Sequence, residues 1–155
     1  MRLSTRTRYG LRAMVDIALN QHTGPIPLSA IAKRQNLSEG YLEQLMAFLK
    51  RTKLVKSVRG SQGGYLLARP PSEITVGEIV RVFEGPIAPV PCVSEHLPEG
   101  CERAEVCVTR LVWSKLREQI AEVLDSITLE DLVNEARRLG SSELPCLQEN
   151  GEYGI

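Results

Sequence analysis

Residues 28–51 read LSAIAKRQNLSEGYLEQLMAFLKR, and residues 52–67, TKLVKSVRGSQGGYLL, follow directly. The first stretch predicts a short helix over about Leu28 to Gln35, a tight turn at Asn36-Leu37, and a longer helix opened by Ser38. Ser38 is an N-cap, since its short hydroxyl side chain can accept from a first-turn amide. Glu39 lies beside the positive end of the helix dipole. Leu42, Leu45, Met46 and Leu49 recur at helical spacing and predict the buried stripe, which leaves Gly40, Gln44, Ala47 and Arg51 as a small, polar outward face. The second stretch holds two short β-prone runs, Leu54 to Val58 and Tyr65 to Leu67, around Arg59-Gly60-Ser61-Gln62-Gly63-Gly64, which reads as a glycine-tipped hairpin.

Upstream, residues 5–20 predict a helix on the apolar positions Leu11, Met14, Val15 and Ala18, ended by Gly24, Pro25 and Pro27. Three helices and a hairpin make a winged helix-turn-helix. Downstream, Thr75-Val76-Gly77-Glu78 is a capping box opening a fourth amphipathic helix on Val76, Ile79, Val80 and Phe83, stopped by Gly85 and Pro86. Residues 85–101 contain four of the nine prolines, Pro86, Pro89, Pro91 and Pro98, and predict a loop. From about Arg103 to Ser126 the pattern is helical again. Val112, Leu116, Ile120, Val123 and Ile127 form a stripe near the 3.5-residue repeat, long enough to pack against a second copy. Thr128 caps a last helix carrying Leu129, Leu132, Val133 and Ala136, and residues 141–155 show no periodicity and read as a flexible tail. The expected organisation is a reading module at 1–70, a loop (85–107) with dimerisation helices at 71–140, and the tail. The fold class is mainly α.

The 155 residues suffice for one domain with an appended element, and 43% hydrophobic with 25% charged residues excludes a disordered or fibrous chain. No run approaches a membrane span, and Met1 to Arg6 lacks the apolar core of a signal peptide, so a cytoplasmic location is expected. Zero net charge hides an asymmetry. Residues 1–69 carry 12 Lys/Arg against 3 Asp/Glu, and residues 70–155 carry 7 against 16. A basic module of this kind suits a polyanion.

A helix can enter the DNA major groove if its exposed face is slim and hydrogen-bonds base edges, which assigns Ser38, Gly40, Tyr41, Glu43 and Gln44 as candidate reading residues. Gln44 can pair bidentately with adenine, and Glu43 can accept from cytosine N4. Arg59, with Gly60 and Ser61 at the wing tip, suits the minor groove, and Arg2, Arg6, Lys50, Lys53 and Lys56 suit phosphates. The glycine-rich tip lacks the Lys-Ser/Thr of a nucleotide loop, and no acid–base pair or nucleophile–histidine set marks an enzyme.

Cys92, Cys101 and Cys107, separated by eight and five residues, are the second constellation. In a reducing compartment such cysteines are more often ligands than disulfides, and the lack of a close Cys-x-x-Cys pair points away from structural zinc. Cys146, in the tail, reads as incidental.

Met1-Arg2-Leu3 with Arg8-Tyr9, Ala13 to Leu19, Tyr41-Leu42-Glu43-Gln44-Leu45, Val58-Arg59-Gly60, Gly63 to Leu67, Val76-Gly77-Glu78 and the three cysteines resemble the Rrf-type winged helix-turn-helix transcriptional regulators, in particular their iron-sulfur cluster-regulating (IscR-like) members. The resemblance covers about residues 1–139. It implies a homodimer joined by the long helix, a 2Fe-2S cluster on Cys92, Cys101 and Cys107, a pseudo-palindromic double-stranded DNA operator, and control of cluster-assembly or stress genes. It also implies that the Ser38–Gln44 face and Arg59 touch DNA.

One departure concerns the fourth cluster ligand. The family histidine three residues after the last cysteine is Arg110 here, and the first-helix carboxylate of other members is Arg8. A guanidinium offers no lone pair. His96, Glu95, Glu99, Glu102 and Glu105 are the local candidates, with water or a small thiol as further options, and a 4Fe-4S form stays open. Two other readings remain at this point: a cluster-free regulator with a thiol–disulfide sensor, and a small iron-sulfur electron carrier.

Overall fold

The computed structural model describes residues 2–96 and 100–140. Pro98, Glu99, Cys146 and the tail 141–155 lie outside the described residues.

The helix α1 (Thr5–Asn20) starts where the Ser4 side chain accepts from the Thr7 amide, and it buries Ala13, Met14, Val15, Ile17 and Ala18. Pro25 and Pro27 interrupt the chain before α2 (Leu28–Gln35), which ends at Asn36 in the left-handed region (φ 52°). That conformation is tolerated by asparagine, and it turns the chain sharply into α3 (Glu39–Arg51). Ser38 caps α3 by accepting from the Tyr41 amide at 3.2 Å, and the predicted stripe Leu42, Leu45, Met46 and Leu49 is the buried one.

The wing is an antiparallel pair, β1 (Val55–Val58) and β2 (Gly64–Leu67), in the register Val55↔Leu67 to Val58↔Gly64. Ile26 and Tyr65 exchange backbone hydrogen bonds (2.9 and 2.8 Å), which pins the wing to the segment before α2. Helix α4 (Val76–Glu84) opens with the complete Thr75/Glu78 capping box and ends at Gly85 (φ 79°). It packs against α1 and against α5 (Arg110–Ser126). Thr128 and Asp131 form a second capping box opening α6 (Leu129–Arg138), which packs on α1. Backbone bonds from Val76 to Ile127 (2.8 Å) and from Leu129 to Ile74 (2.9 Å) hold the starts of α4 and α6 side by side.

A continuous apolar cluster joins α1, α2, α3, the hairpin, Ile74, Ile79, Leu129 and Val133. Burial of such side chains, at about 1.5–3 kcal/mol each, is the main stabilising contribution.

Two expectations need correction. The helix expected from about Arg103 begins seven residues later. Residues 103–108 are held instead by isolated turn bonds such as Val106 N–H to Arg103 C=O (3.1 Å), and Val106 and Val108 are 77% and 84% exposed. Among the described residues no apolar partner covers Val106 or Val108, so nothing there rewards extending the helix. The proline-rich loop is also not wholly irregular, because Pro91–Val93 forms a single 3-10 turn whose Val93 is buried. Among the described residues no helix is long and apolar enough to cross a membrane. Val112, Leu116 and Val123 of α5 are exposed at 56%, 38% and 56%, and α5 has no buried residue within one chain.

Candidate DNA-reading face and cysteine loop

The first two turns of α3 present Gly40, Glu43 and Gln44 to solvent, with Ser38 exposed at the cap. A Cβ on Gly40 would meet nothing within 4 Å, so the face is open to close approach. Tyr41 is half-buried against Tyr9, ring edge to ring face at 6.2 Å. Burial pushes its phenol up, while Arg6 and Arg8 oppose the shift. The Tyr65 phenol is also raised, by burial and then by the charge of Glu43.

The wing tip exposes Arg59, Gly60 and Ser61. Its curvature demands glycine. Gly60 has φ 115°, and a Cβ on Gly63 would lie 2.3 Å from the Val58 carbonyl oxygen. Gly64 has φ 153°, and its Cβ would lie 2.2 Å from the Ile26 oxygen. Lys50, Lys53, Lys56 and Arg6 are exposed around this face. Arg2 is exposed too, but it lines a hollow with Val80, Glu84, Pro86, Ile120 and Leu124, beside α4 and α5. Just after it, the Ser4 amide donates to Glu84 Oε1 at 2.7 Å, and the Thr7 hydroxyl donates to the same oxygen. Burial pushes the Glu84 carboxyl up, yet these bonds outweigh it and leave the group below its ordinary value.

Cys92 and Cys107 are half-buried, Cys101 is exposed, and all three are free thiols. Cys107 Sγ lies 3.2 Å from Thr109 Oγ1, and this hydroxyl, followed by the Arg110 amide, draws the thiol below its ordinary value. Arg110 reaches back with Nη2 3.5 Å from the Cys92 carbonyl oxygen, while its buried Nε meets no acceptor among the described residues. Thiolates are the right donors for iron. Yet no three Cys, His, Asp or Glu side chains among the described residues stand close enough together to hold a metal ion. The donor chemistry fits a cluster, and gathering the donors requires the loop to move.

Among the ligand candidates, Glu95 is already engaged elsewhere. Its carboxylate is bound by Arg81 (2.9 and 2.6 Å) and by the Ile87 amide (2.8 Å), which draws its pKa down to about 2. A carboxylate with both oxygens committed is an anchor. His96, Glu102 and Glu105 are exposed. Arg81 also binds Asp125 on α5, at 2.5 and 2.9 Å. The cysteine loop, α4 and α5 therefore meet at one guanidinium, whose pKa these partners raise.

Sequence reasoning did not find Arg81, because its partners lie 14 and 44 residues away. It also passed over Asp16, which is 3% exposed and bound by Arg34 and Gln35. The signal was present, an aspartate inside the apolar run Ala13 to Leu19.

Comparison with known proteins agrees with this architecture. The Rrf2 family model, described as an iron-dependent transcriptional regulator, matches residues 3–135. The transcriptional regulator CymR of Bacillus subtilis is 46% identical over 134 residues, covering 86% of this chain and 91% of that protein. Its solved structure, titled as that of the global cysteine regulator, superposes with a TM-score of 0.72 over 87% of this chain and 98% of the other. The regulator IscR of Erwinia tasmaniensis is 42% identical over 134 residues, covering 86% and 79% of the two chains. The structure of T. potens IscR gives a TM-score of 0.73 at 46% identity, covering 90% of each chain. With three helices, a glycine-tipped wing and these relatives, the chain is a DNA-binding transcription regulator of the Rrf2 family.

Proposed function

We propose that this regulator senses iron-sulfur status: Cys92, Cys101 and Cys107 hold a 2Fe-2S cluster, and cluster loading tunes the affinity of a homodimer for its operator. The observation that carries the reading is the set of three free thiols on the single loop that Arg81 ties to α4 and α5. When bound, the cluster supplies an oxygen-labile centre whose gain or loss reports on supply. Cys92, Cys101 and Cys107 would hold the cluster, and because Arg81 joins the loop to α4 and α5 through Glu95 and Asp125, ordering of the loop would be felt at that contact.

The exposed Val112, Leu116 and Val123 stripe pairs two copies. Two α3 helices on a twofold axis read half-sites about one helical turn, or a multiple of it, apart. Ser38, Gly40, Tyr41, Glu43 and Gln44 read bases, Arg59 with Gly60 and Ser61 enters the minor groove, and Lys50, Lys53, Lys56, Arg6 and Arg2 contact phosphates. A coupling of about 1–3 kcal/mol alters affinity about 5- to 150-fold, enough for a switch.

A second reading has its own observation. The three thiols are free and form no three-donor metal group among the described residues, Cys107 is acidified, and CymR is titled a cysteine regulator, which suits a cluster-free thiol–disulfide sensor. Anaerobic purification with a visible spectrum, iron and sulfide counts, and gel-shift titration of wild type against the triple Cys→Ala variant separates the two. Coloured protein with about two irons per chain and a variant of altered affinity supports the cluster. Colourless, iron-free protein whose affinity changes with peroxide and recovers with dithiol supports the thiol sensor.

A further inference from the structure

Behind the reading face lies a stack that spans both sides of the turn between α2 and α3. The Arg12 guanidinium carbon stands 5.2 Å from the centroid of the Tyr9 ring, and Tyr9 in turn meets Tyr41 edge to face. On its other side Arg12 donates Nε to Gln35 Oε1 at 3.0 Å, and Gln35, 1% exposed, donates Nε2 to Asp16 Oδ2 at 2.9 Å. The buried Arg12 Nη2 has no hydrogen-bond acceptor among the described residues. An orphaned donor in a buried place is costly, and the electron-rich face of Tyr9 is what offsets it. Arg12 thus grips Gln35, the last residue of α2, and through Tyr9 it grips Tyr41, in the first turn of α3.

We infer that Arg12 is a positioning residue for base reading: acting through Gln35 and Tyr9, it sets the angle at which the first turn of α3 meets DNA. The inference rests on α3 being the groove-reading helix. Bidentate hydrogen bonds to base edges weaken as distance and angle depart from their narrow optimum, whereas phosphate contacts from flexible lysines tolerate such shifts. Disturbing this brace therefore harms discrimination between sequences more than general affinity. Lysine does not replace arginine here, because it has neither the planar face for Tyr9 nor a fixed donor for Gln35.

The test uses a duplex that the wild-type protein selects from a random pool, with poly(dI-dC) as the non-specific probe. Affinity for both is measured by competition anisotropy across a salt series for wild type, Arg12→Lys, Tyr9→Leu and Tyr9→Phe. Arg12→Lys and Tyr9→Leu lose about tenfold on the selected duplex, with poly(dI-dC) binding and the salt slope unchanged, while Tyr9→Phe behaves as wild type. An equal loss on both probes with the slope reduced by about one makes Arg12 a phosphate contact and overturns the inference. So does unchanged discrimination in both variants, or a loss on both probes that follows a lowered melting temperature. Failure of the wild-type protein to enrich any sequence overturns the groove reading itself and the inference with it.

Discussion

Arg81 and Asp125 meet at 2.5 Å across the α4–α5 contact, directly over Gly77. A Cβ on Gly77 would lie 1.8 Å from Asp125 Oδ1 and 2.6 Å from Arg81 Nη1, so glycine is what lets the ion pair close over α4. Since the same guanidinium holds Glu95 of the cysteine loop, loop and long helix share one attachment on α4.

Gly77→Ala is therefore expected to weaken this attachment, although alanine favours a helix by about 1 kcal/mol. Overpacking of about 1–3 kcal/mol exceeds that gain, and Asp125 must swing out. Urea denaturation reads a net loss of about 1 kcal/mol. Asp125→Ala in the same chain should remove most of it by clearing the space. An alanine variant as stable as wild type would show that the pair relaxes freely.

The Glu95 carboxyl, held near 2 against an ordinary 4.5, makes a signed prediction about pH. Its folded-state pKa is depressed, so its stabilising contribution is whole above about 4.5 and is lost as pH falls towards 2. The side chain is 14% exposed, and the contribution is at most about 3 kcal/mol. Stability measured between pH 5 and pH 2.5 should fall more steeply in wild type than in Glu95→Gln, which has no proton to take up there. Parallel curves would remove Glu95 from the acid response.

Asp16 offers a further effect on stability. Its side chain is 2% exposed and accepts from Arg34 and Gln35, joining α1 to α2 inside the reading module. Removing the carboxylate takes this acceptor from the buried Gln35 amide and from the Arg34 guanidinium, which is 21% exposed, so the cost lies towards or below the lower end of the about 3–5 kcal/mol of a fully buried pair. Asp16→Ala should shift the urea midpoint strongly with little change in slope. Asp16→Asn, which can still accept from Gln35, should lose less.

The reading module was legible because its signals are local. Ser38, Thr75 and Thr128 each mark a helix start by a side chain bonding three residues onward, and all three do so in the structure. The stripe Leu42, Leu45, Met46, Leu49 meets its core within the same chain. The start of α5 was misplaced because its stripe has no such core: Val112, Leu116 and Val123 face outward, and periodicity says nothing about where an unrewarded helix begins. The cysteines were visible as residue types, but that they form no ready three-donor metal group among the described residues was not. Arg81 carried no signal either, since an arginine on an amphipathic helix looks solvated until residues 95 and 125 arrive from elsewhere.

The division of labour on the reading face can be measured residue by residue. Gln44 is exposed on the second turn of α3, where its amide can offer one donor and one acceptor to adenine, so Gln44→Ala should cost about 1–3 kcal/mol on a duplex selected by the wild-type protein. The loss should shrink when the base pair it reads is changed, and the salt slope should stay the same. Lys56, exposed on β1, has only a point charge to give. Lys56→Ala should weaken binding alike on every duplex and reduce the salt slope by about one. Fluorescence anisotropy at several salt concentrations, on the selected duplex and on its single-base variants, measures both quantities. If Gln44→Ala lowers affinity uniformly while Lys56→Ala changes sequence preference, α3 does not lie in the groove with its first two turns facing the bases.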